Sequence, residues 1–149
     1  AFLNEQQIPF EVNALSAHRT PDDVEVFARS AEDRGIKVII AAAGMAAALP
    51  GVIAASTTVP VIGVPVKGML DGLDAMLSII QMPPGIPVAT VGVNASLNAA
   101  ILAMQILALQ DKRVASRLRA YKDGLGEKIA KANRDLATLR YEYKCGGEK

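Results

Sequence analysis

Tryptophan is absent from this 149-residue chain, phenylalanine and tyrosine occur three times each, and there is one cysteine and one histidine. Each scarcity excludes something. With so few aromatic rings the core has to be built from alanine, valine, isoleucine and leucine, whose small side chains let helices and strands approach closely. The lone thiol, Cys145, can form no internal disulfide. It sits in a polar tail beside Gly146 and Gly147, with no histidine near it in sequence, which is a poor setting for a nucleophile. A cytoplasmic compartment suits such a chain. Charge of one sign is also lacking: the formal net charge is +1, and no basic stripe interleaves with aromatics, so nucleic acid is not expected as a partner. Residues 38–66 carry no formal charge. Gly44, Pro50, Gly51, Pro60, Gly63 and Pro65 nevertheless cut that run into pieces shorter than the roughly 20 apolar residues of a spanning helix, so no membrane partner is expected either.

What is present is an alternation of strand and helix signals over a length that fits one domain. The opening residues read as the tail of a helix, an odd beginning for a doubly wound domain, and they predict that a first strand and its turn are missing from the chain as given. Strands are expected near residues 11, 38, 61 and 89. Between them, Val24, Phe27, Ala28 and Ala31 mark one helical face, closed by Gly35. Leu73, Met76, Leu77 and Ile80 mark another. Asn94 and Ser96 supply capping side chains for a helix over residues 97–110 that is apolar nearly all round, which predicts cover from another subunit. From Lys112 onward a charged helix carries Val114, Leu118, Leu125, Ile129 and Leu136 as an apolar stripe, weakly interrupted at Gly124 and Gly126. Crossovers of this length imply a parallel, three-layer α/β sandwich. Residues 1–110 form its α/β body, and 111–149 add a helix and polar tail to the same domain.

The histidine falls in Ser-Ala-His-Arg-Thr-Pro at residues 16–21, at the carboxyl end of the first expected strand, where open α/β sheets bind ligands. Thr20 can cap the following helix and Pro21 suits its first position. An imidazole can give and retake a proton near neutral pH, and the neighbouring guanidinium matches phosphate or carboxylate. His18 and Arg19 together therefore suit an anionic substrate that must be protonated. The alternative is a histidine bonded to a nearby carbonyl and a solvated arginine. A second candidate is the small-residue turn holding Gly44, Met45, Ala46 and Leu49, whose main-chain N–H groups open a helix; close packing of an alanine-rich helix explains the same residues. Lys67, just past another strand, is a possible anion contact or a solvated surface charge.

Taken in order, these residues, with Leu-Pro-Gly at 49–51, Pro-Val-Ile-Gly-Val-Pro at 60–65 and Gln-Met-Pro at 81–83, resemble the N5-carboxyaminoimidazole ribonucleotide mutases of purine biosynthesis, from about Phe10 to about Leu109. The resemblance implies a flavodoxin-like fold, a homo-octamer, and a reaction on an aminoimidazole ribonucleotide that uses no metal or organic cofactor. His18 would be the proton carrier and Arg19 the phosphate contact. Ser16, Ala17, Gly44, Met45, Ala46 and Leu49 would line the substrate. Two departures stand out. The family's Gly-Ser-x-Ser-Asp phosphate loop has no match, and Ala48 occupies a position where bacterial mutases usually carry a second histidine. The related carboxylases, which take carbon dioxide directly, also lack that histidine but usually read Ser-Ala-His-Lys. A carboxylase and a non-catalytic nucleotide-binding or scaffold protein remain alternatives.

Overall fold

Three short runs of β-branched and small residues pair in parallel at the centre of the computed structural model, which describes residues 1–145. In chain order the elements are α1 (Phe2–Glu5), α2 (Pro21–Ser30), β1 (Ile39–Gly44), α3 (Leu49–Ser56), β2 (Val61–Val66), α4 (Leu73–Ile80), β3 (Ala89–Thr90), α5 (Ser96–Ala108) and α6 (Lys112–Ala137). The sheet order is β1-β2-β3, with Ile39 opposite Val61, Gly44 opposite Val66 and Ile62 opposite Ala89. Strand alternation sorts the side chains onto two faces. Ile39, Ala41 and Val61 pack with Val24 and Ala28 of α2 and Ile53 of α3. Ile62 and Val64 pack on the opposite face with Ala99 and Ala103 of α5. Helices thus cover both faces, giving the expected α/β three-layer arrangement with a long C-terminal helix outside it.

One glycine decides how closely a layer can approach. A Cβ on Gly63, in the middle of β2, would collide with Cγ2 of Ile79 and would lie 3.1 Å from Val88 Cγ1. Only a bare backbone lets α4 seat Ala75 and Ile79, both fully buried, against the sheet.

The expected strand at residues 11–15 does not form. The segment is extended, but among the described residues no main-chain hydrogen bond ties residues 9–15 to a strand. A groove of about 1800 Å³ separates it from β1, lined by Phe10, Val12, Ile40, Ala42, Leu97 and Ala100. Alternation alone cannot make a strand, because a ladder needs a neighbour about 4.8 Å away. The other three strands lie where expected, opening at Ile39, Val61 and Ala89, although β3 keeps only two residues.

The C-terminal half also departs from expectation. Helix α5 packs on the sheet and on α1 and α6, where Ile8, Met104, Val114 and Leu118 form another core cluster, while Leu97 at its start and Leu109 at its end stay exposed. Ring centroids of Phe2 and Tyr121, 4.9 Å apart and edge to face, pin α1 to α6. Helix α6 runs through Gly124 and Gly126 without a break. Asp111 caps it by accepting from the N–H groups of Arg113 (2.8 Å) and Val114 (3.4 Å). The Arg113 guanidinium and these N–H groups hold the Asp111 carboxyl below its ordinary range. Past Leu118 the apolar stripe is bare, with Ile129 64% and Leu136 56% exposed. Cys145 is exposed and unpaired, and residues 146–149 of the polar tail lie outside the described residues. Among the described residues no helix is long and apolar enough to cross a membrane.

Candidate active site

Three turns carry the candidate residues, the second and third leaving the parallel strands β1 and β2. The first is residues 16–20. The Ser16 carbonyl accepts from the N–H groups of Arg19 (3.3 Å) and Thr20 (2.8 Å), while Ser16 N–H donates to the Thr20 hydroxyl (3.1 Å) and Arg19 N–H to Ser16 Oγ (3.2 Å). Thr20 stands at the cap position of α2, but its side chain caps no helix N–H. Its hydroxyl is spent closing the turn, and the helix opens on Pro21, Asp22 and Asp23, whose charges suit its positive end. Ser16 and Ala17 are partly buried. His18 and Arg19 stand exposed at the tip, and among the described residues neither side chain makes a hydrogen bond or ion pair. The carbonyl-bonded histidine is thus not what forms.

The second turn leaves β1 at Gly44. Met45 takes a left-handed φ of 56° and is 59% exposed, and Ala47 N–H returns to the Met45 carbonyl (2.9 Å). Helix α3 then starts at Leu49 with Ala48 at its cap position and no side chain capping it. The main-chain donors of this first turn have no competing side-chain partner. Gly44, Met45 and Ala46 are exposed and Leu49 is partly buried. Gly51 has no side chain because Met82 fills the space: a Cβ there would lie 2.8 Å from its Sδ. This contact brings the Leu-Pro-Gly and Gln-Met-Pro stretches together in the fold.

Leu15, before the first turn, and Leu49, after the second, both pack on the core cluster that holds Ala41 and Ile53. The third turn leaves β2 at Val66 and lies beside the second. A Cβ on Gly44 would sit 3.4 Å from the Val66 carbonyl, and one on Gly68 would sit 3.8 Å from Met45 Cγ. Lys67 does not present a free ammonium, since its Nζ is 2.9 Å from Asp71 Oδ1.

Sequence reasoning missed what Asn94 does. Ala95, not Asn94, is the cap residue of α5, and neither Asn94 nor Ser96 caps it. Asn94 Oδ1 instead accepts from Lys67 N–H at 2.9 Å. The available signal was an asparagine directly after a strand and before a helix, the residue type that best tolerates φ above zero.

Known proteins close the comparison. Residues 1–128 match the family model described as AIR carboxylase. The chain is 52% identical over 124 residues to the N5-carboxyaminoimidazole ribonucleotide mutase of Pyrococcus abyssi, covering 83% of this chain and 71% of that protein. It is 49% identical over 143 residues to the phosphoribosylaminoimidazole carboxylase of Saccharomyces cerevisiae, covering 95% of this chain but 25% of that protein. The crystal structure of Treponema denticola PurE superposes with a TM-score of 0.79 at 28% identity, over 90% of this chain and 84% of that one. With its parallel sheet and flavodoxin-like layering, the chain belongs to the AIR carboxylase family.

Proposed function

We propose that the chain is an isomerase of purine biosynthesis that converts N5-carboxyaminoimidazole ribonucleotide to the 4-carboxy isomer by decarboxylation and recarboxylation. The observation that carries this reading is His18: exposed, without a side-chain partner among the described residues, held on a hydrogen-bonded turn, in a chain about half identical to named mutases. His18 as imidazolium gives its proton to the exocyclic nitrogen as the N–carboxylate bond breaks, and carbon dioxide leaves. The ring carbon C4 then attacks that carbon dioxide, and its proton passes back to His18, so the imidazole ends as it began. Retaining carbon dioxide in the site gives it an effective concentration that solution cannot match. Arg19 binds the ribonucleotide phosphate in a bidentate fork. Ser16, Ala17, Gly44, Met45, Ala46 and Leu49 wrap the imidazole and carboxylate. The Lys67 charge is a secondary anion contact, available only when it leaves Asp71.

A second reading is direct carboxylation, in which C4 of aminoimidazole ribonucleotide attacks carbon dioxide and loses its proton to His18 and then to solvent. Ala48 and the yeast carboxylase relative favour it. The assay supplies the full chain with each nucleotide separately, with and without bicarbonate. Turnover of the N-carboxylated nucleotide without bicarbonate supports the mutase, and turnover of the uncarboxylated one with bicarbonate selects the carboxylase. Binding without turnover leaves a nucleotide-binding or scaffold protein. Assembly into a homo-oligomer, an octamer by resemblance, and a cytoplasmic location complete the proposal.

A further inference from the structure

We infer that Asn94 is a positioning residue whose side-chain carbonyl takes the place of a strand partner and holds residues 67–72 against the Gly44 and Met45 turn; the inference rests on the reading of that turn as part of the active site. Regular pairing between β2 and β3 ends early, with Gly63 opposite Thr90 and Val91 N–H reaching the Gly63 carbonyl at 3.2 Å. In a parallel ladder each paired residue donates its N–H to one carbonyl and accepts, on its own carbonyl, from the N–H two residues further along the neighbour. Asn94 reproduces both bonds around Val66. Its N–H donates to the Pro65 carbonyl at 2.8 Å, and the second bond, from Lys67 N–H at 2.9 Å, goes to Oδ1 in place of the main-chain oxygen. A φ of 58° at Asn94 turns the main chain toward α5 while the side chain completes the ladder.

The latch matters because the loop's other fastening is at its far end, where buried Gly72 packs against Val93. Leu70, Asp71 and Gly72 are three consecutive left-handed residues, with φ of 47°, 54° and 88°. The Lys67 to Asp71 ion pair is internal to the loop and exposed at both ends, which makes it weak. Met69 and Leu70 are 65% and 73% exposed, so burial does not anchor the tip. Gly68 nevertheless abuts Met45, and the Val66 carbonyl abuts Gly44. The position of this loop therefore sets the wall beside two candidate substrate contacts, and Asn94 sets the position of the loop.

Two variants separate the latch from general folding. Asn94→Gly keeps the left-handed backbone and removes the acceptor, whereas Asn94→Asp keeps an acceptor at the same place. Main-chain hydrogen exchange at Lys67 is measured alongside steady-state kinetics on both ribonucleotides. In Asn94→Gly the Lys67 amide should exchange about tenfold faster. The substrate KM should rise about tenfold while kcat changes by less than about threefold. Asn94→Asp should restore both to near the parent. Unchanged Lys67 exchange in Asn94→Gly, or equal KM defects in the two variants, overturns the inference. A parent chain that turns over neither ribonucleotide overturns the active-site reading and Asn94's catalytic relevance with it, while the exchange comparison still decides the latch by itself.

Discussion

A side chain that carries a proton through one turnover has to be reachable and unencumbered, and His18 meets both conditions on a turn fixed by its own neighbours. Replacing it by asparagine leaves that main-chain scaffold intact. His18→Asn should lower kcat by about 10³-fold or more, with ribonucleotide binding retained in a titration; undiminished turnover would remove the acid-base role. Arg19→Ala should raise the nucleotide's dissociation constant by about 10–100-fold. An unchanged constant would mean that the guanidinium does not touch the phosphate. Both are candidates from the sequence alone because their chemistry is local, and the structure leaves both exposed. What Thr20 and Asn94 do was not legible there. Their side-chain oxygens could serve a helix cap equally well by composition, and only the three-dimensional path decides that one closes the turn before α2 and the other reaches across to β2.

Elements are held apart by volumes as much as by hydrogen bonds. Gly63→Ala forces Ile79 off its seat, and overpacking of this kind costs about 1–3 kcal/mol. Denaturant unfolding should show that loss. In the Ile79→Ala background, where the colliding Cγ2 is gone, adding Gly63→Ala should cost less, and additive effects would mean that the contact is not what the glycine serves. Helix faces and the places of β1, β2 and β3 along the chain could be read from the apolar pattern, since apolar spacing reports burial directly. The fate of residues 11–15 could not. Their alternation describes a surface that fits a sheet, whereas pairing depends on whether another strand lies alongside. The glycines of α6 misled for the opposite reason: a helix of 26 residues with a capped start absorbs two weak positions.

At the scale of the whole molecule, apolar surface is left without cover on α6, and Leu109 is 85% exposed at the end of α5. Sedimentation should therefore show a multimer that persists on dilution; a stable monomer would contradict the proposed assembly. A separate behaviour follows from the outer flank of β1. Ile39 N–H points to the Pro60 carbonyl, so the peptide groups of Ile40 and Ala42 face away from β2, into the groove. Unsaturated peptide groups in a row act as a template, and any extended chain that reaches them can add on. Light scattering that grows steeply with concentration, and that Ile40→Lys suppresses without shifting the multimer's sedimentation, would be its signature. Whatever segment occupies that flank, from the same polypeptide or another, closes the sheet edge and removes the template.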